Sequence, residues 1–132
     1  MTLTTLYDIA QTDNISVFSF DMNVCESISI LKEGNCYIAI DPFKIKNTSE
    51  EKVKLAHELG HCETGAFYNQ YAVCDIRERH EHRADKWAIK KLVPKDELKE
   101  ACKWCHNVWE LSEHFGVTQE FMQKALEYYQ GV

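Results

Sequence analysis

The sequence lacks the features that direct a chain to or across a membrane. It has no apolar run of membrane-spanning length, and its first Lys or Arg is Lys32. A secretory leader needs a basic start followed by a clean apolar segment, whereas Asp8 and Asp13 interrupt the opening region. We therefore expect a cytoplasmic protein with no membrane partner.

The sequence also lacks an excess of basic residues. Its 15 Lys and Arg are outnumbered by 21 Asp and Glu, which gives a formal net charge of -6. Phosphate binding needs a concentrated positive field, so we expect no direct binding of nucleic acid. The length of 132 residues and the hydrophobic content of 45% suit one globular domain with its own core.

Cysteine is abundant enough for a disulfide-rich secreted protein, but no leader supports that interpretation. In a reducing compartment cysteines are usually small buried hydrophobic residues, so we expect free thiols. The C-x-x-C-H motif at residues 102–106 has no second C-x-x-C to complete a zinc site. We predict that this motif lies in a helix and packs into the core, as does His114. The six cysteines are Cys25, Cys36, Cys62, Cys74, Cys102 and Cys105.

What the sequence does contain is an H-E-x-x-H pattern at residues 57–61. A helix is predicted over residues 48–66, because Thr48 and Glu51 form a capping-box pattern and apolar residues recur at helical spacing. Four residues advance a helix by slightly more than one turn, so both histidines lie on one face and can bind one metal ion. Glu58 is close enough to that face to polarise a water molecule. The alternative is an amphipathic helix whose histidines are solvated or packed in the core.

A catalytic zinc site usually has three protein ligands, so a third should come from elsewhere in the chain. A second helix is predicted downstream and ends before Pro94. Glu81 and Asp85 fall on its buried stripe, where carboxylates are costly unless a positive group meets them. We predict that Glu81 is the third ligand and that Asp85 accepts the second ring N–H of a ligand histidine. The alternative is a solvated helix face of mixed charge.

Together the two motifs resemble those of the ImmA/IrrE-type metallopeptidases. H-E-L-G-H is followed, twenty residues after His61, by E-x-x-A-D-x-W-A and then L-V-P, and the similarity extends over residues 38–129. The chain differs from the family pattern at Arg83, where many members have a second acidic residue, and at Trp87, where Phe is common. The resemblance implies a zinc-dependent endopeptidase that cleaves a helix-turn-helix repressor encoded nearby.

Each site residue has a predicted role. Zinc is held by His57, His61 and Glu81, and Glu58 takes a proton from the water that attacks the peptide carbonyl. Glu58 is the one catalytic residue predicted, with Asp85 as the outer partner of a histidine. The residue that assists zinc at the oxyanion is not specified by the pattern, and the candidates by proximity in sequence are Tyr68, Tyr71, His80 and His82.

The predicted fold is an α+β single domain over residues 1–132 with a minimal zincin-like arrangement. Residues 1–47 form a short helix packed on the active-site helix and then a small antiparallel three-stranded sheet. Residues 48–94 contain the zinc-site helices, and residues 95–132 form a helical C-terminal part. The strands are predicted at residues 15–20, 26–31 and 36–41, with the last two as a hairpin.

The strand before the active-site helix is expected to border the cleft, where an extended peptide can bind by adding to the sheet edge. Residues 111–126 resemble a helix-turn-helix, with a turn at Gly116 and a cap at Thr118. As a DNA reader this segment is disfavoured, because acidic residues outnumber lysines from Asp96 onwards. A structural or partner-docking helix pair is the better interpretation.

Two other classes of protein are compatible with the sequence. One is a non-catalytic module, stabilised by zinc, that binds a repressor or antitoxin partner. A closed site with His80 or His82 as a fourth ligand would favour this class. The other is a small DNA-binding protein, which the charge disfavours. The sequence does not specify an oligomeric state.

Overall fold

The computed structural model describes the backbone of residues 1–23, 25–67 and 74–131, together with their side chains except at positions 74–76. These residues form six helices and three strands, which confirms the predicted α+β class. Each strand lies within one residue of its predicted bounds. In chain order the elements are α1 (Leu3–Thr12), β1 (Ser16–Ser19), β2 (Ser27–Lys32), β3 (Asn35–Ile40), α2 (Thr48–Thr64), α3 (Cys74–Leu92), α4 (Lys95–Ala101), α5 (Val108–Phe115) and α6 (Gln119–Gln130).

The sheet is mixed and has the strand order β1-β3-β2. β2 and β3 form the predicted antiparallel hairpin, with Glu33 and Gly34 at positive φ in its turn. β1 pairs in parallel with β3, so the prediction of an entirely antiparallel sheet is wrong. β3 is therefore the central strand, and its Ile38 and Ile40 are buried. β2 is an edge strand of the described sheet, so it is β2 and not β3 that can border a cleft.

Helix α2 contacts α3 and the strands β2 and β3, and forms the centre of the core. Its Leu55 and Leu59 are fully buried. The capping prediction is wrong by one residue, because the side chain of Asn47 accepts the hydrogen bond from the backbone N–H of Glu50. The helix ends before Gly65, whose φ of 67° is a conformation that other residues rarely adopt.

Helix α1 packs on α2, as predicted. Leu6 and Ala10 are buried in the shared core, and the hydroxyl of Tyr7 donates to the carboxylate of Glu51 at 2.6 Å. The burial of this face and the link to α2 fix the N-terminal segment against the helix that contains the H-E-x-x-H motif.

The C-terminal part is helical, but the C-x-x-C-H motif lies outside its helices. α4 ends at Ala101, and the side chain of Asn107 caps a new helix by accepting from the N–H of Glu110. Cys102, His106 and His114 are exposed and Cys105 is half-buried, so the prediction of a buried helical motif is wrong. The helix-turn-helix prediction is confirmed, with Gly116 between α5 and α6 and Thr118 as the cap of α6.

One pair of cysteines forms a disulfide. Cys36 in β3 and Cys62 in α2 are bonded, with 5.8 Å between their Cα atoms, so the expectation of free thiols is wrong for this pair. Packing of α2 on the sheet brings the two residues together across a separation of 26 positions. Cys25, Cys102 and Cys105 are free, and the side chain of Cys74 is outside the described part. None of the described helices is both long and apolar enough to cross a membrane.

Candidate metal centre

The two histidines of the motif lie one turn apart on α2 and face the same side. Their ring centroids are 4.8 Å apart and their planes are nearly perpendicular, at 86°. His61 is buried and His57 is half-buried. The helix can hold them there because Ala56, Leu59 and Gly60 are buried on its neighbouring faces.

A close approach of α3 to α2 brings the acidic residues to the histidines. A Cβ atom added at Gly60 would lie 2.5 Å from the carbonyl oxygen of Ala84 and 2.9 Å from its Cα. Only glycine fits against the backbone of α3 at this distance, so the two helices meet at Gly60, between the two histidines. Glu81 lies one turn before Ala84 in α3, and Asp85 follows Ala84 directly. The close approach of the helices therefore holds both acidic side chains beside the two histidines.

Glu81 bridges the two imidazoles. Its Oε2 lies 2.8 Å from Nε2 of His57 and its Oε1 lies 3.1 Å from Nε2 of His61. One donor atom from each of these three residues lies within 4.8 Å of the others, which is close enough for a shared metal ion. The structure therefore brings together all three predicted ligands.

The other nitrogen of each imidazole is occupied by an acceptor. Nδ1 of His57 donates to Oδ1 of Asp85 at 2.8 Å, and Nδ1 of His61 donates to the backbone carbonyl of Ala66 at 2.6 Å. These bonds fix the proton on Nδ1 and turn both Nε2 atoms towards Glu81. Ligand histidines in metal sites are commonly held in this way. The predicted contact of Asp85 is present, and its partner is His57.

The charges at the site favour a cation. Burial alone would lower the pKa of His57, but its hydrogen bonds to Asp85 and Glu81 outweigh burial and raise this pKa to about 9. Burial likewise opposes the rise in the pKa of His61, which Glu81 and the Ala66 carbonyl produce. Hydrogen bonds from both histidines lower the pKa of Glu81. Two carboxylates and two imidazoles thus form a site that stabilises added positive charge.

Glu58 is buried near this group but outside the set of three donors. Its Oε2 accepts a hydrogen bond of 2.7 Å from the hydroxyl of Ser27, the first residue of β2. The carboxylate of Glu58 therefore lies between α2 and the start of β2.

The site opens into a cleft of about 810 Å³. Residues 26–29 at the start of β2 line one wall, and Thr118, Phe121 and Lys124 of the α6 region line another. His57, Glu58 and His61 also line this cleft. The candidate metal centre is therefore accessible beside the β2 edge.

The described candidates His80 and His82 are not among the three donors. Tyr68 and Tyr71 lie outside the described residues. His82 is exposed, with its ring 6.3 Å from that of Tyr128, and His80 is half-buried. Among the described residues, no His, Cys, Asp or Glu joins the three donors as a fourth.

Three residues near the site have no signal in the sequence. Ser27 contacts Glu58, Ala66 holds His61, and Nζ of Lys124 lies 3.2 Å from Oδ2 of Asp85. Lys124 links α6 to Asp85, the residue that accepts from His57. Burial would raise the pKa of Asp85, but His57 and, to a smaller extent, Lys124 lower it. Two of these contacts join segments more than 30 positions apart, so motif spacing could not reveal them.

Comparison of the chain with protein-family models, curated proteins and solved structures finds no match.

Proposed function

We propose that this protein is a zinc-dependent endopeptidase of the ImmA/IrrE type. The observation that carries the proposal is the arrangement of three convergent donor atoms, two fixed imidazoles and a separate buried glutamate beside an open cleft. Two imidazoles and one carboxylate form a common ligand set of catalytic zinc. When bound, zinc supplies Lewis-acid activation of water and of the peptide carbonyl.

Each residue of the site has a distinct task in this proposal. His57, His61 and Glu81 hold the metal ion, and Asp85 keeps the Nδ1 proton of His57 in place. Glu58 accepts the proton that the attacking water loses and then delivers a proton to the leaving amine nitrogen. The second transfer is needed because the nitrogen leaves readily only when it carries a proton as an amine.

The substrate class rests on the cleft and on the family resemblance. Among the described strands β2 has only one neighbour, and its start lines the cleft, so an extended peptide can bind at its other edge through main-chain hydrogen bonds. This would lay a scissile carbonyl beside Glu58 and the donor group. From the resemblance we propose that the peptide belongs to a helix-turn-helix repressor encoded nearby.

The test is the substitution Glu58→Gln, which keeps the size of the side chain but removes the proton acceptor. We expect zinc content and folding to be unchanged and cleavage to fall by at least about a hundred-fold, the usual contribution of a general base. Wild type and variant are co-expressed with the neighbouring repressor candidate, which is followed by immunoblot and intact mass. Equal loss of the repressor with both forms would contradict the peptidase and favour a binding module.

A further inference from the structure

We propose that Ser27 is a positioning residue that holds the carboxylate of Glu58 for proton transfer. The inference rests on the proposed peptidase function. Its basis is the hydrogen bond of 2.7 Å from Ser27 Oγ to Glu58 Oε2, which joins the edge strand to the H-E-x-x-H helix across 31 positions. Ser27 also lines the cleft, so the contact lies at the site itself.

The donor is held firmly on the sheet side. Ser27 pairs with Ile40 of the central strand, and Glu26 before it accepts a backbone hydrogen bond from Asp41 at 2.9 Å. Lys54 lies in α2, one turn before the motif, and forms an ion pair of 2.9 Å with the carboxylate of Glu26. The start of β2 is thereby joined to both the sheet and α2, which places the backbone that carries the Ser27 hydroxyl beside Glu58.

A fixed donor restricts the carboxylate that accepts from it. Hydrogen bonds to ionised carboxylates are among the stronger ones in proteins, and this one limits rotation about the last torsion of Glu58. With Oε2 engaged by Ser27, we assign Oε1 as the oxygen that receives the proton of the water. Small errors in the position of a catalytic group are costly, since misplacement by about 1 Å can cost a hundred-fold in rate.

The pair Ser27→Thr and Ser27→Val tests this role. Thr and Val have nearly the same shape and both suit a strand, but only Thr retains a hydroxyl. Relative to wild type, we expect Ser27→Val to lower kcat by about ten-fold with little change in KM, and Ser27→Thr to stay within about two-fold. The probe is a fluorogenic peptide spanning the repressor cleavage site that intact mass defines, with casein as a second substrate.

Zinc content and thermal unfolding are measured for every variant to separate positioning from folding. If Ser27→Val does not fold, Ser27→Ala removes the hydroxyl without added bulk. In the Glu58→Gln background, Ser27→Val should cause no further loss, because the proposed effect acts only through Glu58.

The outcomes separate this proposal from the proposed function. A folded, zinc-loaded Ser27→Val variant with wild-type kcat would overturn the role of Ser27 and leave the peptidase intact. The role of Ser27 would also be overturned if Ser27→Thr lost as much kcat as Ser27→Val. The same holds if Ser27→Val lowered kcat further in the Glu58→Gln background. A wild type that cleaves neither the repressor nor casein overturns both proposals.

Discussion

The two histidines of the site are held by acceptors of different kinds. Nδ1 of His57 donates to the side chain of Asp85, whereas Nδ1 of His61 donates to the backbone carbonyl of Ala66. A substitution can therefore remove the outer partner of one imidazole without touching the other. This difference allows the contribution of a single outer hydrogen bond to be measured.

The three predicted ligands should each be required for metal. We expect one zinc ion per chain, lost on replacing His57, His61 or Glu81 by Ala, because two ligands hold zinc much more weakly than three. Metal analysis of purified protein checks this. Stoichiometric zinc in Glu81→Ala would be the contrary result and would move the third ligand to Glu78, His80 or His82.

Replacement of Asp85 by Ala should weaken zinc binding without abolishing it. Loss of the acceptor for His57 Nδ1 frees the ring to rotate, and such changes usually cost about ten- to a hundred-fold in affinity. Competition with a chelating dye measures the effect. The matched control is Lys124→Met, which removes a neighbour of Asp85 at 3.2 Å but leaves the contact with His57 in place. Equal affinities for Asp85→Ala and wild type would contradict the assigned role of Asp85.

At the scale of elements, the site depends on how closely α2 and α3 approach. Gly60→Ala would place a Cβ atom 2.5 Å from the Ala84 carbonyl oxygen, which belongs to backbone and cannot rotate away. Overpacking of this severity costs about 3 kcal/mol, and the better helix propensity of Ala returns about 1 kcal/mol, so we expect a net loss of about 2 kcal/mol.

The same substitution should also weaken zinc binding, because α2 supplies two ligands and α3 supplies the third. Urea unfolding and the dye competition measure the two effects. Gly131→Ala is the control, since its added Cβ would meet its nearest neighbours at an ordinary 3.7 Å. If Gly60→Ala left both stability and zinc affinity at wild-type values, close helix packing would not be what assembles the site.

The elements themselves were largely predictable because their signals are local. Alternating residues located the strands, and helical spacing located α1, α2 and α6. The pairing of β1 with β3 was not predictable, because a strand sequence does not specify which neighbour it joins. The helix predicted across residues 102–106 is absent, because α4 ends at Ala101 and a new helix starts at the Asn107 cap. Apolar spacing alone suggested a continuous helix there.

The candidate site, like the fold, was predictable only where its signals are local in the sequence. His57 and His61 follow from spacing within one helix, and Glu81 and Asp85 from a second motif on another helix. Ser27 and Lys124 could not be predicted, because their contacts depend on how the sheet and α6 pack around α2. Tertiary packing places these residues, and no periodicity in the sequence marks them.

At the scale of the whole molecule, all three predicted segments contribute to the cleft. Ser27 comes from residues 1–47, the candidate metal ligands from residues 48–94, and Phe121 from residues 95–132. The sheet and the residue before β2 are joined to α2 by the bond between Ser27 and Glu58, by the ion pair between Glu26 and Lys54 and by the disulfide between Cys36 and Cys62. The integrity of the site is therefore coupled to the packing of α2 on the sheet.

The disulfide should stabilise the fold without being needed for metal. Closing a loop across 26 positions restricts the unfolded chain, for which the entropy model gives about 3.5 kcal/mol. We expect Cys36→Ser, or reduction by a phosphine, to lower the free energy of unfolding by about this amount in urea titrations. Cys102→Ser is the control, because this exposed thiol is free. Zinc content should be retained, because His61 is held by the Ala66 carbonyl and not through the neighbouring Cys62. Coincident urea transitions for the oxidised and reduced protein would show that the bond contributes nothing to stability.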